Sequence, residues 1–211
     1  MRAGSIICSL ALATLPAAAA AQVEVTPFVG SNMPQRYFGF DRLDANGFRM
    51  EQRSRFAEGV QLGARATSWV TRRLGAELSV ATSRHERRIE TRGVDPVTGY
   101  ATRWSTERAG DVRALVVGAR AMARANPRGG PVALHAGAGV VHVRWGDNPL
   151  SDRQSDGGTG LSLAAGLRVR VAERLGARLD VESDRYTFGE FQRVRANDVA
   201  VTVGLSLAIG R

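Results

Sequence analysis

Cysteine is almost absent from this chain of 211 residues, since the only one, Cys8, lies in an apolar segment near the N-terminus. The remainder of the chain therefore cannot form disulfides, which excludes a disulfide-stabilised secreted module and thiol chemistry. A cysteine that is to be modified by lipid follows such an apolar segment, whereas Cys8 lies near its start. We therefore do not expect a lipoprotein.

Lysine is absent altogether, because all 29 basic residues are arginine. The formal net charge of +9 would suit a nucleic-acid-binding protein, but the arginines are spread along the chain rather than gathered in one patch. We therefore expect no nucleic-acid partner. Arginine without lysine, beside abundant alanine, glycine and valine, is typical of a GC-rich genome. Attraction of arginine to anionic lipid headgroups is an additional explanation.

The first residues have the features of a secretory signal peptide. Arg2 gives a positive start, an apolar run follows, Pro16 interrupts it, and five alanines offer a cleavage site before Gln22. The apolar run is too short for a membrane-spanning helix, which needs roughly 20 residues. A retained helical anchor is thus the lesser alternative. We predict a cleaved signal peptide over residues 1–21 and one domain over residues 22–211.

Long apolar runs are also absent after residue 21, so no transmembrane helix is expected. What recurs instead is alternation of apolar with small or polar residues, in pieces of about ten residues, as in strands of membrane barrels. The clearest piece is 199–209, where Val, Leu and Ile alternate with Ala, Thr, Gly and Ser. The pattern predicts strands over residues 22–31, 57–67, 74–82, 112–123, 132–145, 160–171, 175–184 and 199–209.

The register of the fifth segment, 132–145, is ambiguous. One apolar run ends at Val140, and a second run on the opposite face begins at Val141. We therefore predict a β-bulge or a slip near Val140. In the fourth segment we place Arg113 and Arg120 together on the polar face.

The connections between the predicted strands alternate in length: long, short, long, short, long, short, long. They cover residues 32–56, 68–73, 85–111, 124–131, 146–159, 172–174 and 188–197. An antiparallel meander with short turns at one end and long loops at the other is the arrangement of outer-membrane barrels. The predicted fold is therefore all-β: an eight-stranded antiparallel up-and-down transmembrane β-barrel with four long outward loops.

A soluble lipocalin-like barrel of the periplasm is the alternative, because periodicity alone does not say which face points inward. One face is almost free of polar groups, whereas the other carries charges or only small residues with one arginine. Lipid outside, with small residues and ion pairs inside, fits this distribution. Aromatic residues near strand ends are predicted to form interfacial girdles: Trp69, Trp104, Trp145, Tyr186, Phe188 and Phe191.

The chain resembles the small outer-membrane barrels of the OmpA-like, OmpX-like and OmpW-like group. The shared features are the predicted signal peptide, the eight alternating segments and the alternation of long and short connections. The resemblance covers residues 22–211 and rests on pattern rather than on a motif. It implies the outer membrane of a Gram-negative envelope, contact with outer-membrane lipid and lipopolysaccharide, and insertion by the barrel-assembly machinery. Such proteins commonly end in Phe, whereas this chain ends in Arg211. We therefore expect a different assembly signal or weaker insertion, and no second, peptidoglycan-binding domain.

Some barrels of this kind are enzymes that act on lipid A. A deacylase-like barrel would need His and Ser two residues apart on the lipid-facing side, with an acid nearby. Neither His135 nor His142 has that serine, and His85 lies among arginines, as in a solvated charge cluster. No metal-ligand spacing occurs, and the Asp-containing segment 147–158 does not match a calcium loop. We predict no enzymatic activity and no catalytic, cofactor-binding or metal site.

Charges on the polar strand faces are nearly balanced, and Glu24 of the first strand can add to them. Balanced charges in a low-dielectric interior pair with each other, and eight strands leave an interior that side chains fill. The sequence therefore predicts a closed lumen, whereas a ring of one sign would indicate a selective pore. The predicted lumen ion-pair network consists of Arg65, Glu77, Arg120, Arg168, Arg170, Arg178, Asp180 and Glu182.

Two functions remain open from the sequence. The first is a structural or interaction barrel, closed by ion pairs, whose long loops meet extracellular partners. The second, which the OmpW-like resemblance implies, is a porin-like narrow channel or a barrel that binds or transports small molecules.

Overall fold

A computed structural model describes residues 22–35, 37–43, 49–95, 97–125, 130–146, 156–188 and 194–209. The predicted signal peptide, 1–21, and the end of the chain beyond residue 209 lie outside these residues. Within them, no helix is long and apolar enough to cross a membrane. The strands are β1 (Gln22–Gln35), β2 (Tyr37–Leu43), β3 (Arg49–Phe56), β4 (Gly59–Trp69), β5 (Leu74–Val94), β6 (Ser105–Arg124), β7 (Val132–Gly146), β8 (Asp156–Arg170), β9 (Leu175–Phe188) and β10 (Val194–Ile209).

Eight of these strands close into an antiparallel barrel. Their order around the ring is β5-β4-β1-β10-β9-β8-β7-β6, and β6 pairs with β5 to complete it. The first and last strands of the chain meet along β1 and β10, from Val23 opposite Ile209 to Gln35 opposite Asn197. The predicted all-β, eight-stranded, up-and-down barrel is confirmed.

The outward face of the barrel is a belt of large aliphatic side chains. Leu161 is 67% exposed and Leu78 is 63% exposed, which would be unfavourable in water for so many contiguous residues. Closure of the ring pairs the strand backbones with each other, so that only side chains face the surroundings. We call the following residues the lipid-facing belt: Val60, Leu62, Leu78, Val80, Val117, Val140, Leu161, Leu163, Leu179, Val181, Val203, Leu205 and Leu207.

The two ends of the barrel differ. At the turn end, residues 70–73, 125–131 and 171–174 connect the strands. At the loop end, residues 95–104, 147–155 and 189–193 connect them, together with the segment that holds β2 and β3. In outer-membrane barrels the shorter turns face the periplasm. The predicted alternation of lengths is only partly reproduced, because strands at the loop end continue beyond their predicted limits.

The predicted long loop 32–56 is not a loop but contains a β-hairpin. β2 pairs with β3, and β3 in turn pairs with the outer part of β5, from Phe56 opposite Arg87 to Arg49 opposite Val94. Much of the predicted loop 85–111 is likewise strand. Both predictions were wrong because this part of the sheet lies beyond the belt, where a strand has no need of alternating apolar residues.

The predicted bulge or slip near Val140 is wrong, because β7 keeps continuous register with β6 and β8. Val140 is exposed, whereas Val141 and Val143 are buried inside the barrel. The two apolar runs therefore lie on opposite faces of one regular strand. The register shift occurs instead between Glu86 and Arg88 of β5. The opposing part of β6 contains Gly110 at φ +104°, a backbone conformation that glycine adopts readily.

Candidate functional site

Charged side chains fill the middle of the barrel interior. Because side chains alternate between the two faces of a strand, β4 directs Arg65 inward, β5 directs Glu77, and β6 directs Arg120. β9 supplies three inward residues in succession, namely Arg178, Asp180 and Glu182. All six residues are at most 5% exposed.

These six residues form a closed ring of alternating charge, which we call the charge ring. Arg178 Nη1 lies 2.7 Å from Glu77 Oε2, and Glu77 Oε1 lies 3.3 Å from Arg120 Nη1. Arg120 also contacts Glu182. Arg65 then continues the ring, at 2.8 Å from Glu182 Oε1 and 2.9 Å from Asp180 Oδ2.

Asp180 closes the charge ring, because its Oδ2 lies 2.8 Å from Arg178 Nε. Each arginine thus lies between two carboxylates, and the three positive charges balance the three negative ones. The contacts of Arg65 with Asp180 and Glu182 are ion pairs by distance rather than aligned hydrogen bonds, although Arg65 Nη2 donates a hydrogen bond of 2.9 Å to Thr202.

The charge ring crosses the lumen from wall to wall. β4, β5 and β6 are neighbours on one side of the barrel, and β9 lies across from them, separated from β4 by β1 and β10 and from β6 by β7 and β8. Ion pairs between these groups of strands therefore occupy the centre of the barrel rather than lining one wall.

Further polar residues complete the contacts of the charge ring. His135 Nε2 lies 2.6 Å from Asp180 Oδ1, and a Cβ on the neighbouring Gly166 would lie only 2.4 Å from the same oxygen. Glycine is therefore required at position 166 for this contact. Arg120 Nε donates a hydrogen bond to Ser162, which contacts Asp184 at 2.5 Å.

A second, smaller ion-pair group lies nearer the turn end. Glu24 is 1% exposed, and it lies 3.1 Å from Arg124 and 3.2 Å from Arg168. The guanidinium of Arg124 also stacks over Trp69 at 3.9 Å. Arg168 thus binds Glu24 rather than a member of the charge ring.

Two arginines lie elsewhere than predicted. Arg170 has the inward register of Arg168, but it lies at the turn-end mouth, where it is exposed and donates a hydrogen bond of 3.3 Å to the carbonyl of Gly130. Its assignment to the lumen network is corrected accordingly. Arg113 is exposed on the outward face, because its position differs from that of Arg120 by an odd number of residues along β6.

Towards the loop end, the interior contains a buried apolar cluster beside polar side chains such as His85 and Asp198. Phe28 lies beneath the guanidinium of Arg65 at 4.1 Å, and Phe56 stacks on Trp145 at 5.0 Å. The indole of Trp145 donates a hydrogen bond of 2.8 Å to Tyr186, which donates one of 2.7 Å to Asp198. We call the buried cluster the apolar layer; it consists of Phe28, Ala81, Ala114, Val116, Val141, Val143, Trp145, Tyr186 and Ala196.

The prediction of aromatic girdles is therefore wrong for Trp69, Trp145 and Tyr186, which are at most 6% exposed inside the barrel. Trp104 lies against two guanidinium groups, those of Arg53 and Arg92, at 4.5 and 4.7 Å. The side chains of Phe188 and Phe191 lie outside the described residues. Aromatic residues near strand ends can face either side of a barrel wall, and composition alone does not distinguish the sides.

Sequence reasoning missed a serine–histidine pair at spacing two. His85 Nε2 lies 2.7 Å from Ser83 Oγ, and His85 Nδ1 lies 2.9 Å from the carbonyl of Ala57. Both side chains are at most 3% exposed and face the interior. His85 is thus buried rather than part of a solvated charge cluster. The signal that could have revealed it is parity, since Glu77, Ser83 and His85 share one face of β5.

Among the described residues, no three His, Cys, Asp or Glu side chains gather as metal ligands would. Most of the Asp-containing segment compared with a calcium loop, residues 147–155, lies outside the described residues.

Residues 7–206 match the family model of the outer membrane protein β-barrel domain. Among solved structures, the chain is similar to the outer membrane protein OprG from Pseudomonas aeruginosa, with a TM-score of 0.60, 14% identity, and coverage of 90% of this chain and 96% of OprG. It is also similar to the N-terminal β-barrel domain of OprF from Pseudomonas aeruginosa, with a TM-score of 0.51, 14% identity and coverage of 89% and 97%. Neisserial surface protein A gives a TM-score of 0.51 at 12% identity, with coverage of 89% and 96%. No curated protein sequence matches the chain.

Proposed function

Since the chain belongs to the family of outer-membrane protein β-barrel domains and is located in the bacterial outer membrane, we propose that it is a non-enzymatic structural or interaction barrel with a closed lumen. The observation that carries the proposal is the charge ring. A row of ion pairs runs from β4–β6 to β9 and occupies the lumen at that level, and under this proposal it interrupts any water column. The apolar layer lies directly beyond it towards the loop end and adds a second obstruction.

The charge ring suits a permanent closure better than a gate. Its charges are desolvated, so that removal of one partner leaves another buried and unpaired. Its net charge is zero, whereas rings of one sign attract a selected ion. Each arginine has at least two carboxylate partners, since Arg120 also lies 3.8 Å from Asp184, so movement of one carboxylate leaves the arginine paired with another.

The same proposal assigns no catalytic role to Ser83 and His85. A serine nucleophile requires a histidine base held by a third group and donors for the developing oxyanion. Here the third group is a backbone carbonyl, both side chains are buried, and the ring centroid of Trp145 lies 5.1 Å from that of His85. Under this proposal the pair serves to satisfy polar groups within the barrel interior.

The proposed partners follow from the location. The lipid-facing belt contacts outer-membrane lipid, and the barrel-assembly machinery inserts the chain after export and cleavage of residues 1–21. The loop-end extension formed by β2, β3 and the outer parts of β5 and β6 would contact lipopolysaccharide and extracellular partners.

A solute-uptake assay tests the closed lumen. Proteoliposomes that hold the wild-type protein should take up small sugars no faster than protein-free liposomes. The paired variant Glu77→Ala/Arg120→Ala removes two members of the charge ring with no net change in charge, and it should admit solute. A matched control, Arg84→Ala/Asp111→Ala, removes an exposed ion pair and should take up solute no faster than the wild type. Rapid uptake through the wild type would favour the narrow channel instead.

A second candidate function is the binding of a small apolar molecule at the outer wall. It is favoured by an apolar groove of about 620 Å³ across β1, β8, β9 and β10, whose lining includes Val29, Leu167, Leu179, Val203 and Leu205. Ala177 also lines this groove, so Ala177→Phe would fill part of it. Loss of photolabelling by an apolar probe in that variant would support the second function, and unchanged labelling would contradict it.

A further inference from the structure

Three outward arginines lie just beyond the loop-end edge of the lipid-facing belt. They are Arg84 on β5, Arg113 on β6 and Arg144 on β7, and we call them the arginine triad. Arg84 is directly opposite Arg113. Arg144 is opposite Leu115. Leu115 lies two residues from Arg113 along β6, so the two share one face of the sheet. The triad therefore forms one patch across three neighbouring strands.

The position of the triad relative to the membrane is fixed by the belt. Each triad arginine lies four residues along its own strand from a belt valine, namely Val80, Val117 and Val140. The outward face thus changes from aliphatic to cationic within four residues on each of three neighbouring strands. A molecule in contact with both regions must combine apolar chains with an anionic head.

The cross-strand pair of Arg84 and Arg113 has no sufficient explanation within the fold. Residues directly opposite in an antiparallel sheet have Cβ atoms about 4.5–5.5 Å apart, and like charges there are destabilising. Asp111 lies 2.5 Å from Arg84 Nη2, but it also binds Arg108 at 3.0 Å. In the described part of the chain, no carboxylate lies within ion-pair distance of Arg113. An external anion between Arg84 and Arg113 would remove the repulsion.

We propose that the arginine triad binds the phosphate of a phosphorylated glycolipid of the outer leaflet, whose acyl chains lie on the lipid-facing belt. Guanidinium groups bind phosphate oxygens through paired, charge-assisted hydrogen bonds, which a lone ammonium cannot reproduce. The side chain of Arg84 is 66% exposed although it is paired, so it is accessible to a headgroup. The inference rests on the proposed outer-membrane orientation, in which the loop end faces outward.

The full-length protein, folded in detergent micelles, provides the test through its affinity for fluorescent diphosphorylated lipid A. Arg84→Gln/Arg113→Gln/Arg144→Gln should weaken binding by roughly tenfold or more, because charge-assisted hydrogen bonds are lost. Arg113→Gln alone should weaken it by about threefold, and it remains informative if the triple variant does not fold. Lipid A without phosphate should bind the wild type as weakly as the triple variant binds the phosphorylated form.

A matched control changes the same charge at the other end. Arg72→Gln/Arg73→Gln/Arg174→Gln removes three exposed arginines from the turn end and should leave affinity unchanged. Equal loss in this control, or retained affinity in both triad variants, would overturn the proposal. Displacement of lipid A by millimolar inorganic phosphate would also overturn it, in favour of a free-phosphate site. Solute uptake is measured on the same preparations, so failure of the closed lumen is seen independently of lipid binding.

Discussion

The charge ring inside the barrel and the exposed ion pairs beyond the belt use the same two chemical groups at similar distances. Arg65 lies 2.9 Å from Asp180 with side-chain exposures of 0% and 2%. Arg84 lies 2.5 Å from Asp111 with exposures of 66% and 28%. Distance therefore does not distinguish the two pairs, but their access to water does.

That difference determines what each pair contributes. Exposed pairs gain little because water and salt already stabilise the separate charges. Buried pairs gain little in total as well, because both charges were taken out of water, but the loss of one partner leaves the other uncompensated. The charge ring is therefore a specific and fragile element of the interior, whereas the exposed pairs are replaceable.

The largest expected effect comes from the charge ring. Arg65→Ala should lower the free energy of unfolding by about 3–5 kcal/mol, because Asp180 and Glu182 each lose a partner within the barrel. Urea unfolding in lipid vesicles, followed by tryptophan fluorescence, measures the change. Arg84→Ala is the exposed control. Equal stability of the two variants would contradict the contrast between the regions.

An intermediate effect is expected at the turn-end group. Glu24→Gln leaves Arg124 and Arg168 without their shared carboxylate, but their side chains are 15% and 13% exposed and can reach water. We expect a loss of about 1–3 kcal/mol in the same unfolding experiment. A loss of unfolding free energy as large as that of Arg65→Ala would show that the depth of burial does not determine the difference between the two ion-pair groups.

A small effect is expected at Asp111. Hydrogen bonds from Arg84 and Arg108 hold the pKa of Asp111 below its ordinary value of 3.8. A depressed pKa in the folded state gives stability that is present above the unfolded value and is lost as the pH falls through the folded value. Asp111→Asn should therefore lower the unfolding midpoint slightly at neutral pH, and this effect should shrink progressively as the pH falls below 3.8 and through the lower folded-state pKa. A difference that grows on acidification would contradict this assignment.

The smallest effect concerns salt. Raising NaCl to about 1 M should abolish the already small effect of Asp111→Asn, because the Debye length falls to about 3 Å. The effect of Arg65→Ala should stay nearly constant, since the proposed closed lumen would keep ions out of the barrel interior. Unfolding midpoints at low and high salt compare the variants directly. Equal sensitivity to salt would mean that water reaches the charge ring.

The sequence was informative where one face of a strand meets lipid. Alternation located all eight barrel strands, and parity along them identified Arg65, Glu77, Arg120, Arg178, Asp180 and Glu182, the six members of the charge ring. The alternation pattern did not reveal strands whose two faces share one environment. β3 and the outer part of β5 lie beyond the belt, so their residues show no apolar alternation.

The interior was also less uniform than parity suggested. Val141, Val143 and Trp145 were ambiguous because apolar residues can face lipid or the apolar layer, and only the assembled barrel distinguishes them. The closure of the ion pairs into a ring depends on β9 lying opposite β4–β6, which is a property of the barrel rather than of any one strand. Ser83 and His85 were missed for a different reason, because the predicted third strand ended at residue 82 and parity was not applied to them.

Single-channel conductance of the purified wild-type protein in planar bilayers tests the closed lumen most directly. The charge ring and the apolar layer predict no steady conductance at neutral pH. Steady conductance with a preference for one sign of ion would contradict the closed lumen and would establish a channel.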